Sequence, residues 1–131
     1  MQNTNRKLGV IAAFVGALTI LIGAYGAHGL KELVNDQAIA SFETGVRYQM
    51  YHVFVLLLLA YAMPLADKHR KRVAGLIGIG MLLFSGSIYL LVLRDYLPFD
   101  ITKFALITPL GGLFLVAGWI TLGFYLLKSK K

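Results

Sequence analysis

The chain has 131 residues, 58% of them hydrophobic and only 15% charged, too little charge for a soluble domain of this size. Its apolar residues come in long blocks, as in an integral membrane protein. The net charge of +7 gathers at the block ends, which argues against a nucleic-acid face, and the absence of cysteine excludes disulfides and thiolate metal sites.

Asn5, Arg6 and Lys7 precede residues 8–30, a run of 23 residues without formal charge. At 1.5 Å per residue such a helix is about 34 Å long and crosses the hydrocarbon core. It is too long for the apolar part of a signal peptide and reads as an uncleaved span. Gly9, Ala12, Gly16, Thr19, Gly23 and Ala27 draw a small-residue stripe along it. Stripes of this kind let helix backbones approach closely in lipid, although small residues are common in membrane helices in any case. Glycines flanking His28 allow a turn, and residues 31–36 form a short polar connection in which Asn35 can cap the next helix.

The next segment is amphipathic. Ile39, Phe42, Val46, Met50 and Val53 share one arc, while Ser41, Glu43, Thr44, Arg47, Tyr48, Tyr51 and His52 cover the rest. The apolar run 53–66 is too short to span alone, so the second span borrows residues from about Gly45. Arg47, Tyr48 and His52 are thereby drawn to the membrane boundary. The pattern leaves open whether residues 36–50 lie along the interface or continue the span. Residues 67–72 read as a tight basic loop and 73–93 as a third span, with Ser85, Ser87 and Tyr89 in its second half. Residues 94–103 are a polar connection with Pro98 as turn former. In the fourth span, within 104–127, Thr108 and Pro109 are either the N-cap and first helical residue or the site of a kink.

Nine Lys and Arg residues fall at the termini and in 67–72, against four on the other side: Lys31, Arg94, Lys103 and, at the membrane boundary, Arg47. The positive-inside rule then gives one domain, 1–131, with four spans at about 8–30, 45–66, 73–93 and 105–127 and both termini cytoplasmic. This topology sets the polar residues His28, Glu43, Arg47, Tyr48, His52, Ser85, Tyr89 and Thr108 at one level below the outer surface. Such groups should face each other or a wet cavity, so they are the candidate binding cluster. Glu43 and Arg47 have the spacing of a helical ion pair, or else Arg47 anchors an anionic group such as a lipid phosphate. His28 and His52 at similar depth could hold a metal or haem, but a hydrogen-bonded histidine bridging two helices explains His52 more simply. Tyr48 and Tyr51 suit interfacial anchors, and Ser85 and Ser87 suit contacts between helices. No catalytic triad or phosphate loop is present, so no catalytic residue, metal site or cofactor is assigned.

Four blocks carry a resemblance: residues 23–30 (Gly-Ala-Tyr-Gly-Ala-His-Gly-Leu), residues 42–52 from Phe42 to His52, residues 84–89 (Phe-Ser-Gly-Ser-Ile-Tyr), and Thr108-Pro109-Leu110-Gly111-Gly112 with Gly118-Trp119. Together they resemble the domain of unknown function 423 family, small bacterial inner-membrane proteins of the YgdD and YwdK type related to the eukaryotic transmembrane protein 256. The resemblance covers nearly the whole chain. It implies a multi-pass protein of the bacterial cytoplasmic membrane and no established activity.

The sequence therefore predicts an all-α, integral membrane four-helix bundle. The function expected is non-enzymatic binding of a membrane lipid, a membrane-protein partner or a second copy through the outward polar cluster, without nucleic acid. The alternatives are an oligomeric transporter or channel for a small solute, and a membrane enzyme or redox protein using His28 and His52.

Overall fold

The computed structural model describes residues 2–129, and among these the chain is helical with no strand. Four long helices run α1 (Gln2–Ala27), α2 (Asp36–Tyr61), α3 (Asp67–Val92) and α4 (Ile107–Lys128). Helices adjacent in sequence are the ones that pack, so the order in space follows the order along the chain. Three stretches are long and apolar enough to cross a membrane: Asn3–Glu32, Asp67–Val92 and Thr102–Lys128. α2 matches them with 26 residues, about 39 Å, but its first half carries Asp36, Glu43 and Arg47. Lys130 and Lys131, which count toward the charge bias, lie outside the described residues.

Local chemistry sets the helix ends. α1 stops before His28, and a single 3₁₀ turn at Gly29–Glu32 drops Leu30 fully into the interior. There Leu30 meets Ile39 and Phe42 of α2. The Asn35 side chain accepts the Ala38 amide at 2.9 Å, capping α2 as its sequence position predicts. From that cap α2 runs without a break to Tyr61, so residues 36–50 continue the helix and do not form a separate surface segment.

Three boundaries differ from the sequence reading. α2 ends at Tyr61, not at 66, because Pro64 has no amide to continue it. The basic residues 67–72 are not a loop: Asp67 opens α3, where a carboxylate favours the helix N-terminus. Pro109 is neither first in α4 nor a kink. Leu106 is the N-cap and Pro109 the third residue, where the missing N–H is one that a first turn leaves unpaired anyway.

The small-residue stripe of α1 packs on α2 from Gly9 to Gly23, whereas Ala27, its last member, is exposed. A Cβ on Gly9 would meet Tyr61, on Gly16 Val53, and on Gly23 Val46, while Ala12 and Thr19 are fully buried. A second set of close approaches joins α3 to α4. A Cβ on Gly111 would run into the main chain at Leu83 and Phe84, and one on Gly118 would lie 2.7 Å from the Ile77 side chain. The outward faces carry Phe14, Leu18 and Leu21 on α1 and Leu113, Ile120 and Phe124 on α4, all exposed, as lipid contact requires.

Gly111→Ala is expected to lower stability by about 1–3 kcal/mol, because main chain cannot yield to the new methyl group. Gly123, with nothing within 4 Å of its Cβ position, should accept alanine with a gain of up to about 1 kcal/mol from helix propensity. Thermal unfolding of both variants in detergent measures the contrast.

Candidate functional site

The polar residues inside the bundle form hydrogen-bonded links between helices. Gln49 of α2 is only 7% exposed. Its amide Nε2 donates to Thr19 Oγ1 of α1 at 2.6 Å, and its Oε1 accepts the Tyr89 hydroxyl of α3 at 2.6 Å. Thr19 in turn donates to the Val15 carbonyl at 2.6 Å. One carboxamide thus joins three helices. Ser85 Oγ donates to the Gly45 carbonyl at 2.7 Å, a second α3-to-α2 link. Ser87 and Thr108 share a short hydroxyl–hydroxyl hydrogen bond between α3 and α4.

His52 is 4% exposed and ties α2 to α4. Its Nε2 accepts the indole N–H of Trp119 at 3.0 Å, and its Nδ1 lies 2.6 Å from the Tyr48 carbonyl. The indole can only donate and the carbonyl can only accept, so the ring is the neutral tautomer with its proton on Nδ1. Both nitrogens are occupied, which makes His52 the bridging histidine and not a metal ligand. His28 is exposed beyond the end of α1. His52 lies 16 residues into α2, about 24 Å from the start of that helix, so the two are not at one depth. Among the described residues no group of three or more His, Asp or Glu is placed to hold a metal ion.

The eight candidate residues therefore separate. His52, Ser85, Tyr89 and Thr108 are interhelical links. His28, Glu43, Arg47 and Tyr48 are exposed. Glu43 and Arg47 form no ion pair: Arg47 Nη2 donates instead to Thr44 Oγ1 at 3.3 Å. The Tyr48 ring lies over Phe84, with centroids 5.1 Å apart. Nor do the eight share one level, since His52 lies 16 residues into α2 while Thr108 is the second residue of α4.

Sequence reasoning missed Gln49, Trp119 and Arg70. Gln49 carried a usable signal, an uncharged amide in a membrane-depth helix, where polar groups need partners. Arg70 was hidden in a basic run. It is 5% exposed, and its Nε and Nη2 donate to the Leu59 and Met63 carbonyls at 2.6 and 3.0 Å. The guanidinium thus closes the C-terminal end of α2, where a cation is favoured. Asp67 lies 3.8 Å from Arg70 Nη1 and accepts the Thr4 hydroxyl at 3.2 Å. Beside this group Arg72 donates to the Tyr125 hydroxyl at 2.7 Å, and His69 stacks on the Tyr125 ring.

At the end of the bundle away from the termini, α2, the end of α3 and the approach to α4 enclose a cleft of about 550 Å³. Gln37, Ser41, Arg94, Asp95 and Thr108 give it a mixed polar lining. Arg94 makes one long contact, 3.5 Å to the Leu91 carbonyl, which leaves most of its five donors available.

The family described as Protein of unknown function (DUF423) matches residues 22–112, a stretch that holds Gln49, Arg70, Tyr89 and the cleft. The chain belongs to the DUF423 family. It is similar to a UPF0382 membrane protein of Haemophilus influenzae, 34% identical over 92% of this chain and 93% of the relative. YwdK of Bacillus subtilis, also a UPF0382 membrane protein, is 37% identical over 85% and 88%. The UPF0382 inner membrane protein YgdD of Escherichia coli is 32% identical over 97% and 95%. No solved structure matches. The chain is thus a helical membrane protein from a family of unknown function.

Arg70→Ala should cost about 2–4 kcal/mol, from two lost charge-assisted hydrogen bonds and two stranded carbonyls. Arg47→Ala, which removes one exposed contact, should stay within about 0.5 kcal/mol of the parent. Unfolding of the two variants in the same detergent gives the comparison.

Proposed function

We propose that this chain is a non-catalytic protein of the bacterial cytoplasmic membrane. In this reading it spans four times, holds both termini in the cytoplasm, and binds the headgroup of a membrane phospholipid at its outer end. The observation that carries the proposal is the 550 Å³ cleft with Arg94 and Asp95 in its lining. A guanidinium with free donors suits a phosphate oxygen pair, and a neighbouring carboxylate suits the cationic group of a zwitterionic head. Thr108 and Ser41 add hydroxyls, and Arg94 takes the anchoring part that sequence position suggested for Arg47.

The orientation rests on the bias of nine basic residues toward one side against four on the other. Arg70 and Arg72 make hydrogen bonds at the end that would face the cytoplasm, and Lys68 and Lys71 remain exposed there to meet anionic lipid.

Native mass spectrometry of gently extracted protein tests the binding reading. A bound phospholipid mass is expected, retained in Arg47→Ala and lost in Arg94→Ala; a bare wild-type chain would refute it. Because the chain has no cysteine, single cysteines at Phe99 and Ala66 report the topology. Labelling of intact cells by an impermeant thiol reagent should reach the first and not the second.

A further inference from the structure

The cleft that holds Arg94 and Asp95 lies where three helices end. Gln37 and Ser41 in its lining are the second and sixth residues of α2, and Thr108 is the second residue of α4. Arg94 and Asp95 open the 3₁₀ turn Arg94–Tyr96 that follows α3. We infer, building on the headgroup reading above, that the cleft selects a phosphodiester with a primary ammonium. That is the head of a phosphatidylethanolamine, taken in preference to trimethylated and anionic heads.

The two charges in one lining carry the choice. In a 3₁₀ turn successive side chains point about 120° apart, so the guanidinium and the carboxylate on these adjacent residues are turned away from each other. Among the described residues the ion pairs lie at Asp67, and Asp95 has no basic partner. An anionic head bound at Arg94 leaves that carboxylate facing a negative group, and like charges repel. A ligand that carries both signs a few bonds apart satisfies both residues.

Hydrogen bonding then separates the zwitterionic heads. A primary ammonium has three N–H donors, and a trimethylated one has none. The lining offers acceptors to match in the Asp95 carboxylate, the Gln37 amide oxygen and the Ser41 hydroxyl. Asn35, also in the lining, has its amide oxygen on the Ala38 N–H, so its own N–H donors are left for the phosphate. A quaternary ammonium is held instead by aromatic faces, and among the described residues lining the cleft none is aromatic. Against such a head the acceptors lose water and gain no donor.

Size admits the head without deciding between heads. A glycerol-linked phosphoethanolamine has about 13 non-hydrogen atoms, roughly 390 Å³ if each takes the volume share of a water molecule. The cleft of about 550 Å³ takes that much and leaves the acyl chains in the membrane. Three further methyl groups would still fit, so the selection is one of hydrogen bonds and not of volume.

The full chain in detergent, freed of lipid, is titrated with dioleoyl phospholipids and read by native mass spectrometry. The series runs from phosphatidylethanolamine through its N-methyl and N,N-dimethyl forms to phosphatidylcholine, with phosphatidylglycerol as the anionic head. One phosphatidylethanolamine per chain is expected, with affinity falling at each methylation. The trimethylated and anionic heads should bind about tenfold more weakly or worse, the worth of one charge-assisted hydrogen bond. Asp95→Asn should bring phosphatidylethanolamine down to the phosphatidylcholine level. Glu43→Gln, at an acid outside the cleft lining, should leave the preference intact. Both side chains are exposed, so neither change threatens the fold. Equal binding of all heads, or a preference that survives Asp95→Asn, overturns the selectivity and leaves the headgroup reading standing. Displacement by free phosphoethanolamine at equal concentration would make the site one for a soluble phosphate ester and overturn it too. A wild-type chain that binds no phospholipid removes both.

Discussion

A carboxamide buried where there is no water must find its partners in the protein, and Gln49 finds one on each side. Thr19 holds it from α1 and Tyr89 from α3, so sliding either helix by one residue would strand a polar group in hydrocarbon. Apolar side chains in lipid give little reason to prefer one register over another, because lipid tails are as apolar as leucine. The hydrogen bonds supply that preference. Around them the glycines and alanine of α1 settle against Val46, Val53 and Tyr61, and dispersion contacts follow the register that the polar atoms select.

α4 is held by different means. It reaches α3 through main chain brought close at Gly111 and through Ile77 against Gly118, and it reaches α2 through the indole of Trp119 on His52. Uncharged hydrogen-bonding groups thus make the buried links between the helices, and the formal charges lie at the two ends or, as Glu43 and Arg47 do, on the exposed face of α2. At one end Arg70 is absorbed into the fold. At the other, Arg94 and Asp95 remain in the lining of a cleft. This division leaves charged groups in the cleft at the end away from the termini and mostly apolar side chains along a groove between α1 and α3.

Much of the architecture was legible in the sequence because lipid imposes it. The apolar run 8–30, the cap at Asn35 and the stripe from Gly9 to Gly23 each correspond to a structural feature for the stated physical reason. The bridging role of His52 was one of two readings, and Trp119 decides it. The rest depended on partners that one chain segment does not announce. Arg47 prefers Thr44 over Glu43, a choice between two rotamers on the same helix. Arg70 looks like Lys68, Lys71 and Arg72 until the Leu59 and Met63 carbonyls appear beside it. Gln49 lies among charged and aromatic neighbours in residues 42–52, and nothing in that segment announces its partners Thr19 and Tyr89 on two other helices.

The Arg70 contacts also bear on the order in which the protein can be assembled. They join residues only seven and eleven positions apart, so closing them sacrifices little chain entropy. As soon as residues up to the first turn of α3 have been synthesised, the end of α2 can be sealed and the chain reversed. α1 then has one flank of this helical hairpin to find, and α4 the other. A chain whose main helix contacts join sequence neighbours has few distant pairings to wait for, the Trp119–His52 link being one, and that suits a membrane protein that folds while it is still being made.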